Sequence, residues 1–511
     1  MKAARATWIA RTLRCAVGVS LLALLALAGS PARAQQAPDA GHAAAGSPEE
    51  TIEPAIISIE VTQQRTDWYS PWQGTRPEVS QGSGFLIGPG RIMTNAHVVS
   101  DARQIVVRRN GDDRPYFADI EFIGHDTDLA TLRVNDPAFS RGVPPLALGD
   151  LPSLRSRVRT YGYPAGGEKI SRTEGVVSRI QFITYVHSGA DQHLAVQTDS
   201  AINPGNSGGP VVQEGKVIGV AFQASTRLND VGYFIPVPVI RRFLEDVQDG
   251  TYEGYGDLGV VTSNLINPTY RRSLGLQDDH RGVVVDRVLP RSSAAGLLRE
   301  ADVILAVDDV PVEADGTINY HGYSLGYQQT VEQKQIGEAV KATVWRSGKA
   351  LELRVPLHRY PEAERMRAEF DTPAPYLVYA GLVFMELNRD YLRTFGNYWE
   401  TADKHLLYRH FYAFMESDQP YAGTVVLARV LPHRINTAYT SLANSQVAAV
   451  NGVTVHTLRE LESALAAARS GYQVFDLMPG EQVLVLDKAA ADTAQPEILG
   501  RYAIPKDRYL P

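Results

Sequence analysis

From "IEPAIISIEV" to Gln223 the chain is a succession of short apolar stretches, each cut off by Gly, Asp or Asn. "GSGFLIG", "RIMTNAHVV", "QIVVRR", "DLATLRV", "HLAVQTD" and "GPVV…GKVIGVAFQ" are each too short for a helix and are bounded by turn formers, so they read as strands. Six or more such strands, with no long helical period between them, predict a closed all-β barrel or sandwich. "PVPVIRRFLEDVQDG" (Pro236–Gly250) does carry a helical period and stops at a glycine, which closes this region over 51–250.

Beyond Gly250 the chain repeats itself. "GVVVDRVLPR" (Gly282–Arg291) resembles "GTVVLARVLPHR" (Gly423–Arg434), and "VILAVDDVPV" (Val303–Val312) resembles "QVAAVNGVTV" (Gln446–Val455). The offsets are 142 and 143 residues. Asp308-Asp309 and Asn451-Gly452 fall at equivalent hairpin turns, and Asn-Gly is the favoured pair there. "TLRELESALAAARSG" (Thr457–Gly471) reads as a capped amphipathic helix. Two copies of one small β-rich module are therefore expected, over 251–360 and 361–511. A chain of 511 residues accommodates roughly three domains of about 150 residues each.

The first 50 residues stand apart. Lys2, Arg5, Arg11 and Arg14 precede an apolar run, Ala16–Gly29, that is short for a membrane span. Ala32-Arg33-Ala34 then supplies a small-x-small cleavage site, so residues 1–34 are expected to be a secretory signal peptide. "QQAPDAGHAAAGSPEE" (35–50) has the composition of a disordered linker. Removing the five basic residues before Gln35 leaves 45 basic against 57 acidic residues, a net charge of −12. With no Lys/Arg-rich stripe in view, this argues against a nucleic-acid partner. Cys15, the one cysteine, leaves with the signal, so no disulfide or thiol chemistry is expected in the mature chain. Once the signal is cleaved, no membrane span is expected either.

Chemistry concentrates in three stretches. In "AINPGNSGGPVV" (Ala201–Val212) five of twelve residues are Gly or Pro, with Ser207 among them. A serine attacks a carbonyl only with a base beside it and donors for the oxyanion. The glycines allow the N–H groups of Gly205 and Ser207 to converge, and Gly208 and Gly209 are read as room for a substrate backbone. "TNAHVV" places His97 at the end of an apolar strand. "HDTDLATLRV" offers Asp128 and, two positions earlier, Asp126. Alternation puts both acids on one face, so periodicity does not choose between them. His405 and His410, five apart in "HLLYRH", match neither a metalloprotease motif nor one helix face and read as structural. No phosphate loop or metal-ligand spacing is present. The order His, Asp, Ser within one β-rich segment is that of a chymotrypsin-like double barrel.

"TNAHVV", "DTDLA" and "GNSGGP" resemble the three catalytic motifs of the HtrA/Deg serine proteases, and the likeness runs over about residues 50–511. "GVAFQ", "GYFIPVPVI", "LGV", "YAGLVF" and "YAIPKDRYL" are similar to the plant-type Deg subgroup. The resemblance implies a mainly β fold: a chymotrypsin-like double β-barrel protease domain followed by two PDZ-like α+β domains, the second divergent and suited to assembly. It selects Asp128 as the acid, beside His97 and Ser207. It implies an oxyanion hole at Gly205 and Ser207, and a specificity pocket near Ile202, Gln223 and Ala224. No acid stands in that pocket, so cleavage after small or medium aliphatic residues is expected.

PDZ domains add a peptide strand to a sheet edge, with a backbone loop taking the chain-terminal carboxylate. That loop corresponds here to "YGDLGV", with Asp257, Leu258 and Gly259. The acid is expected to weaken binding of C-termini, so the first PDZ would take internal segments or regulate. "GLVF" (Gly381–Phe384) holds the same place in the second copy, where an ordinary strand is the equal alternative. "DWYSPWQGTRPEVSQ" (Asp67–Gln81) is expected, by family analogy, to be a regulatory loop reaching a neighbouring subunit, with Trp68, Tyr69 and Trp72 as ordinary loop aromatics the equal alternative. The resemblance further implies a periplasmic quality-control endopeptidase. It would act on unfolded or misfolded proteins, need no cofactor or metal, and assemble into homo-oligomers built from trimers. A chaperone or scaffold with a silent site is the alternative.

Overall fold

The computed structural model describes residues 52–164, 169–224, 231–277, 281–415 and 421–511. The expected signal peptide, linker and Cys15 lie outside the described residues.

In Ile56–Gln63 the burial alternates, and Ile57, Ile59 and Val61 enter one core. This two-residue period lays down the first sheet. Its seven strands run in the order Asp112–Phe117, Ala102–Arg109, Ile56–Gln63, Glu78–Gly88, Arg91–Thr94, Leu129–Arg133, Asp119–Gly124. Leu86, Ile92, Val107 and Leu132 complete that core with no side chain in water. Each such aliphatic side chain contributes about 1.5–3 kcal/mol by leaving water.

The second half closes on itself. Gln192–Thr198, Gly232–Pro236, Lys216–Ala224, Pro210–Gln213, Arg157–Gly162 and Ser171–Thr184 form a barrel around Val158, Leu194, Val196, Val220 and Phe234. The helix Val237–Asp246 and a short 3-10 turn follow, ending at Gly250 with φ +96°. Buried Arg242 ties this helix onward. It bonds Asp246 at 3.0 Å, the Gly254 carbonyl at 2.7 Å and the Lys334 carbonyl at 3.0 Å.

The repeat is structural. Val283–Val288 and Val425–Val430 are equivalent strands, as are Val303–Val307 and Ser445–Val450. Both second strands turn through paired left-handed residues: Asp308 and Asp309 (φ +45° and +65°), Asn451 and Gly452 (φ +52° and +77°). Left-handed pairs of this kind suit two-residue hairpins. The capped helix is Leu458–Ala466, with a capping box between Thr457 and Glu460.

The two copies differ at one edge. Val260–Asn264 is the edge strand of its sheet and pairs only with Val283–Val288. Its counterpart Leu382–Glu386 is interior, flanked by Val425–Val430 and Tyr376–Tyr379. "GLVF" therefore lies in a strand whose two sides are already bonded, which leaves no edge for an added peptide.

Candidate active site

Asp128 ends a turn rather than starting a strand. Its φ is +52°, and the strand begins at Leu129. The alternation argument therefore does not apply to the pair of acids, since both precede the strand. Their partners separate them. Asp128, buried, accepts from His97 Nδ1 at 2.7 Å and from the His97 N–H at 2.8 Å. Asn95 Nδ2 holds the Asp128 carbonyl at 2.8 Å. Asp126, also buried, instead accepts from Tyr252 Oη at 2.6 Å and lies 3.6 Å from Arg367.

His97 is not on a strand, as the apolar run suggested. The strand ends at Thr94, and His97 stands on the one-turn helix Ala96–Val99, capped by Ser100 Oγ on the Ala96 carbonyl at 2.7 Å. Burial acts to lower the His97 pKa, but the charge and hydrogen bond of Asp128 outweigh it, so the imidazole lies above its usual 6.5. Burial likewise acts to raise the Asp128 pKa, and His97 overrides it, leaving that carboxyl below its usual value. A His held at Nδ1 by an ionised carboxylate presents Nε2 as a base.

Ser207 arrives from the second barrel on a turn with Gly205 at φ +100° and Gly208 at φ +84°. Among the described residues, no backbone acceptor takes the N–H of Gly205 or of Ser207. The turn is anchored by a serine that the sequence reading passed over. Ser83 Oγ donates to the Gly205 carbonyl at 2.7 Å and accepts from the Tyr163 N–H at 2.8 Å, while the Ser83 N–H donates to the Ser207 carbonyl at 2.8 Å. A small residue inside "GSGFLIG" was the only signal for it.

Gly208 and Gly209 leave room for the protein's own backbone, not for substrate. A Cβ on Gly208 would lie 2.1 Å from the Ser83 carbonyl oxygen and 2.2 Å from Thr94 Oγ1. One on Gly209 would lie 2.0 Å from the Tyr161 carbonyl oxygen. The glycines thus let the serine turn close against the strand end that leads to His97. The Ser207 hydroxyl donates to the Phe222 carbonyl at 3.4 Å, and no hydrogen bond joins it to His97. Such bonds often tighten only when substrate is bound.

Around the turn, Ile202 is packed in the barrel core, and Gln223 Oε1 accepts from the Val186 N–H at 3.2 Å. Ala224 pairs with Gly232 at the strand end, and 225–230 lie outside the described residues. In the first copy of the repeated module Asp257 Oδ1 accepts from the Gly259 N–H at 2.7 Å, so the loop's own acid occupies one of its amides. Leu258 is buried in that module's core. Tyr255, Asp257 and Leu258 border a cavity of about 580 Å³.

Aromatic residues of Asp67–Gln81 pack within this chain on the second copy of the repeated module. Trp72 meets Tyr376 edge-on at 6.1 Å, and Arg429 lies 3.8 Å above the Tyr69 ring while bonding the Tyr69 carbonyl at 2.8 Å. His405 bonds Gln446, and His410 is buried with its pKa pushed down to about 4. Among the described residues no group of His, Cys, Asp or Glu has the geometry to hold a metal, and no helix is long and apolar enough to cross a membrane.

A paired imidazole and carboxylate on one β-domain, with a serine in a glycine-rich turn on a second, accord with a trypsin-like serine endopeptidase. The trypsin-like peptidase domain model matches residues 82–220 and the PDZ domain model residues 366–509. The chain is 37% identical over 462 residues to "Protease Do-like 2, chloroplastic" of Arabidopsis thaliana, covering 89% of this chain and 74% of that protein. It is 33% identical over 309 residues to the "Probable periplasmic serine endoprotease DegP-like" of Marinomonas sp. (strain MWYL1), covering 58% of this chain and 61% of that protein. A solved structure of the HtrA-type protease AlgW with tripeptide is 26% identical, covers 62% of this chain and 97% of its own, and has a TM-score of 0.49. The chain belongs to the Do-like (HtrA/DegP) family of serine proteases.

Proposed function

We propose that the protein is an ATP-independent serine endopeptidase of the cell envelope that degrades unfolded or damaged proteins. Ser207 Oγ attacks the scissile carbonyl while His97 Nε2 takes its proton, and His97 later returns that proton to the leaving amine. Asp128 holds the imidazole tautomer and the imidazolium that forms. The N–H groups of Gly205 and Ser207 receive the oxyanion. The observation that carries this reading is the 2.7 Å His97–Asp128 contact, beside a serine turn on which, among the described residues, no backbone acceptor takes the N–H of Gly205 or Ser207. Ile202, Gln223 and Ala224 border the pocket; none of the three is acidic, which suits small or medium aliphatic side chains.

The envelope location rests on the basic, apolar and Ala-Arg-Ala sequence of residues 1–34, with cleavage after Ala34 and export to the periplasm. The module boundaries are those at 250 and 360. Assembly from trimers and capture of internal peptide segments by the first PDZ complete the proposal. The contact of Asp257 with the Gly259 N–H supports internal segments over chain ends.

The Ser207 hydroxyl, bonded to Phe222 and not to His97, favours a second reading: a chaperone whose protease site rests. Degradation of an unfolded casein-type substrate by the mature protein, beside Ser207→Ala, decides. Cleavage by the first protein alone supports the peptidase. If neither cuts and both suppress aggregation of an unfolded client, the chaperone reading stands.

A further inference from the structure

The turn that carries the catalytic acid holds two buried carboxylates, and the mechanism above uses only Asp128. Asp128 stands at φ +52°, in the left-handed region. A residue other than glycine persists there only where its surroundings over-determine it. One restraint acts on its carbonyl, which accepts from Asn95 Nδ2 at 2.8 Å. Another acts from the residues before it. Thr127, fully buried, donates its N–H to Asp126 Oδ1 at 2.9 Å and its hydroxyl to the Gly124 carbonyl at 3.2 Å. The same Asp126 Oδ1 accepts from Tyr252 Oη at 2.6 Å.

Tyr252 does not come from the barrel that bears this turn. It follows the helix Val237–Asp246 and packs on the core of the second barrel, its ring 5.2 Å from that of Phe243. The backbone on either side of it is fixed. The Thr251 N–H donates to Asp249 at 2.9 Å, and the N–H groups of Glu253 and Gly254 donate to Asp246 at 2.9 Å and 3.0 Å. The fit is close: a Cβ on Gly124 would lie 2.7 Å from Tyr252 Cζ, and one on Gly254 would lie 2.8 Å from Asp126 Oδ2. Arg367 Nη2 stands 3.6 Å from that second oxygen. Burial, and then the charge of Asp126, push the Tyr252 phenol well up, so it keeps the proton it donates. One hydrogen bond thus joins the acid turn of the first barrel to the barrel that carries Ser207.

We propose that Asp126 and Tyr252 are positioning residues of the peptidase: the Tyr252 hydroxyl pins Asp126, Asp126 holds Thr127, and Asp128 is thereby kept facing His97. The proposal rests on the peptidase reading of the site. It gives the second buried acid of the turn a task that acts through Asp128. A buried carboxylate that loses a hydrogen-bond donor is destabilised where it stands. Thr127 and the left-handed Asp128 then lose one of their two restraints. Small errors in the placement of catalytic groups cost rate steeply.

The test uses the full-length chain, unsubstituted and with Tyr252→Phe, Asp126→Ala and Asp126→Asn. Tyr252→Phe removes one hydroxyl, keeps the ring and changes no charge. Three quantities are read: kcat and KM on a short peptide anilide across pH, the rate of Ser207 labelling by diisopropyl fluorophosphate, and the melting temperature. Tyr252→Phe and Asp126→Ala are expected to lower kcat and the labelling rate together by about tenfold or more, with KM within about twofold. His97 faces the Asp128 carboxylate, which raises its pKa, and the His187 ring at 6.2 Å. A loosened His97–Asp128 pair therefore moves the midpoint of the kcat/KM profile down in Tyr252→Phe. Asp126→Asn keeps an oxygen for both donors and is expected to recover most of the rate lost in Asp126→Ala. Should Asp126→Ala not fold, Tyr252→Phe carries the test. An unchanged or higher kcat in folded Tyr252→Phe overturns the proposal. A lower kcat with an unmoved midpoint also overturns it, since the His97–Asp128 pair would then be intact. So does a lower melting temperature alone, which would make the bond only structural. Failure of the unsubstituted protein to label is a separate result, against the peptidase reading itself.

Discussion

Substituting Gly208 by alanine separates two readings of the glycines beside the nucleophile. If they make room for substrate, the extra methyl obstructs binding and leaves folding alone. The structure says otherwise. At φ +84° an L-residue costs about 1–2 kcal/mol. The new Cβ also falls 2.1 Å and 2.2 Å from the Ser83 carbonyl and Thr94 Oγ1, neither of which is the free end of a flexible side chain. Relieving such an overlap costs a further 1–3 kcal/mol or so. The sum, about 2–5 kcal/mol, lowers the melting temperature of a domain of this size by about 4–20 °C. Because Ser83 also anchors the Gly205 carbonyl, the serine turn shifts with it. Calorimetry beside kcat and KM on a peptide anilide reads both consequences: Tm and kcat are expected to fall while KM stays near its original value. An unchanged Tm with a raised KM would refute the reasoning and return these glycines to the substrate.

Asp128→Asn is expected to lower kcat by a factor on the order of 10⁴, since the amide favours the wrong imidazole tautomer, and single-turnover kinetics measures it. The pH profile of kcat/KM carries a sign. Acylation needs neutral His97, whose pKa stands above 6.5, so activity falls as pH drops through a midpoint above 6.5. In Asp128→Asn only burial remains, and the midpoint moves down; a midpoint that stays put contradicts the assigned pairing. Ser83→Ala leaves the Gly205 carbonyl and the Tyr163 N–H without this partner, for about 1–3 kcal/mol of stability, seen in urea unfolding, together with slower labelling of Ser207. Asp257→Gly frees the Gly259 N–H and is expected to raise affinity for peptides with a free C-terminus, measured by fluorescence anisotropy. Equal affinity before and after would show that the acid does not block the loop.

What the sequence could show was whatever depends on short spacing. Strand periods over Ile56–Gln63, hairpin turns at Asp308-Asp309 and Asn451-Gly452, the capping box at Thr457 and the 142-residue repeat all arise from neighbours along the chain. The glycines around Ser207 announced an unusual turn for the same reason. Their purpose was not legible, because the atoms that crowd Gly208 belong to Ser83 and Thr94, more than a hundred residues away. Nor could periodicity choose between Asp126 and Asp128. The left-handed backbone at Asp128 breaks the alternation, and only packing sends one acid to His97 and the other to Tyr252. The strand 382–386 reads like 260–264, yet Tyr376–Tyr379 and Arg508–Tyr509, from the two ends of its module, fold together beside it and take the edge. The contacts of Arg367 and Phe370 with a loop some 180 residues earlier leave no trace in local pattern. Sequence by itself determined the strands, the repeat and the chemistry-bearing residue types, because those follow from covalent neighbours. Tertiary structure decided partners, edges and burial, because those depend on which distant surfaces exclude water together.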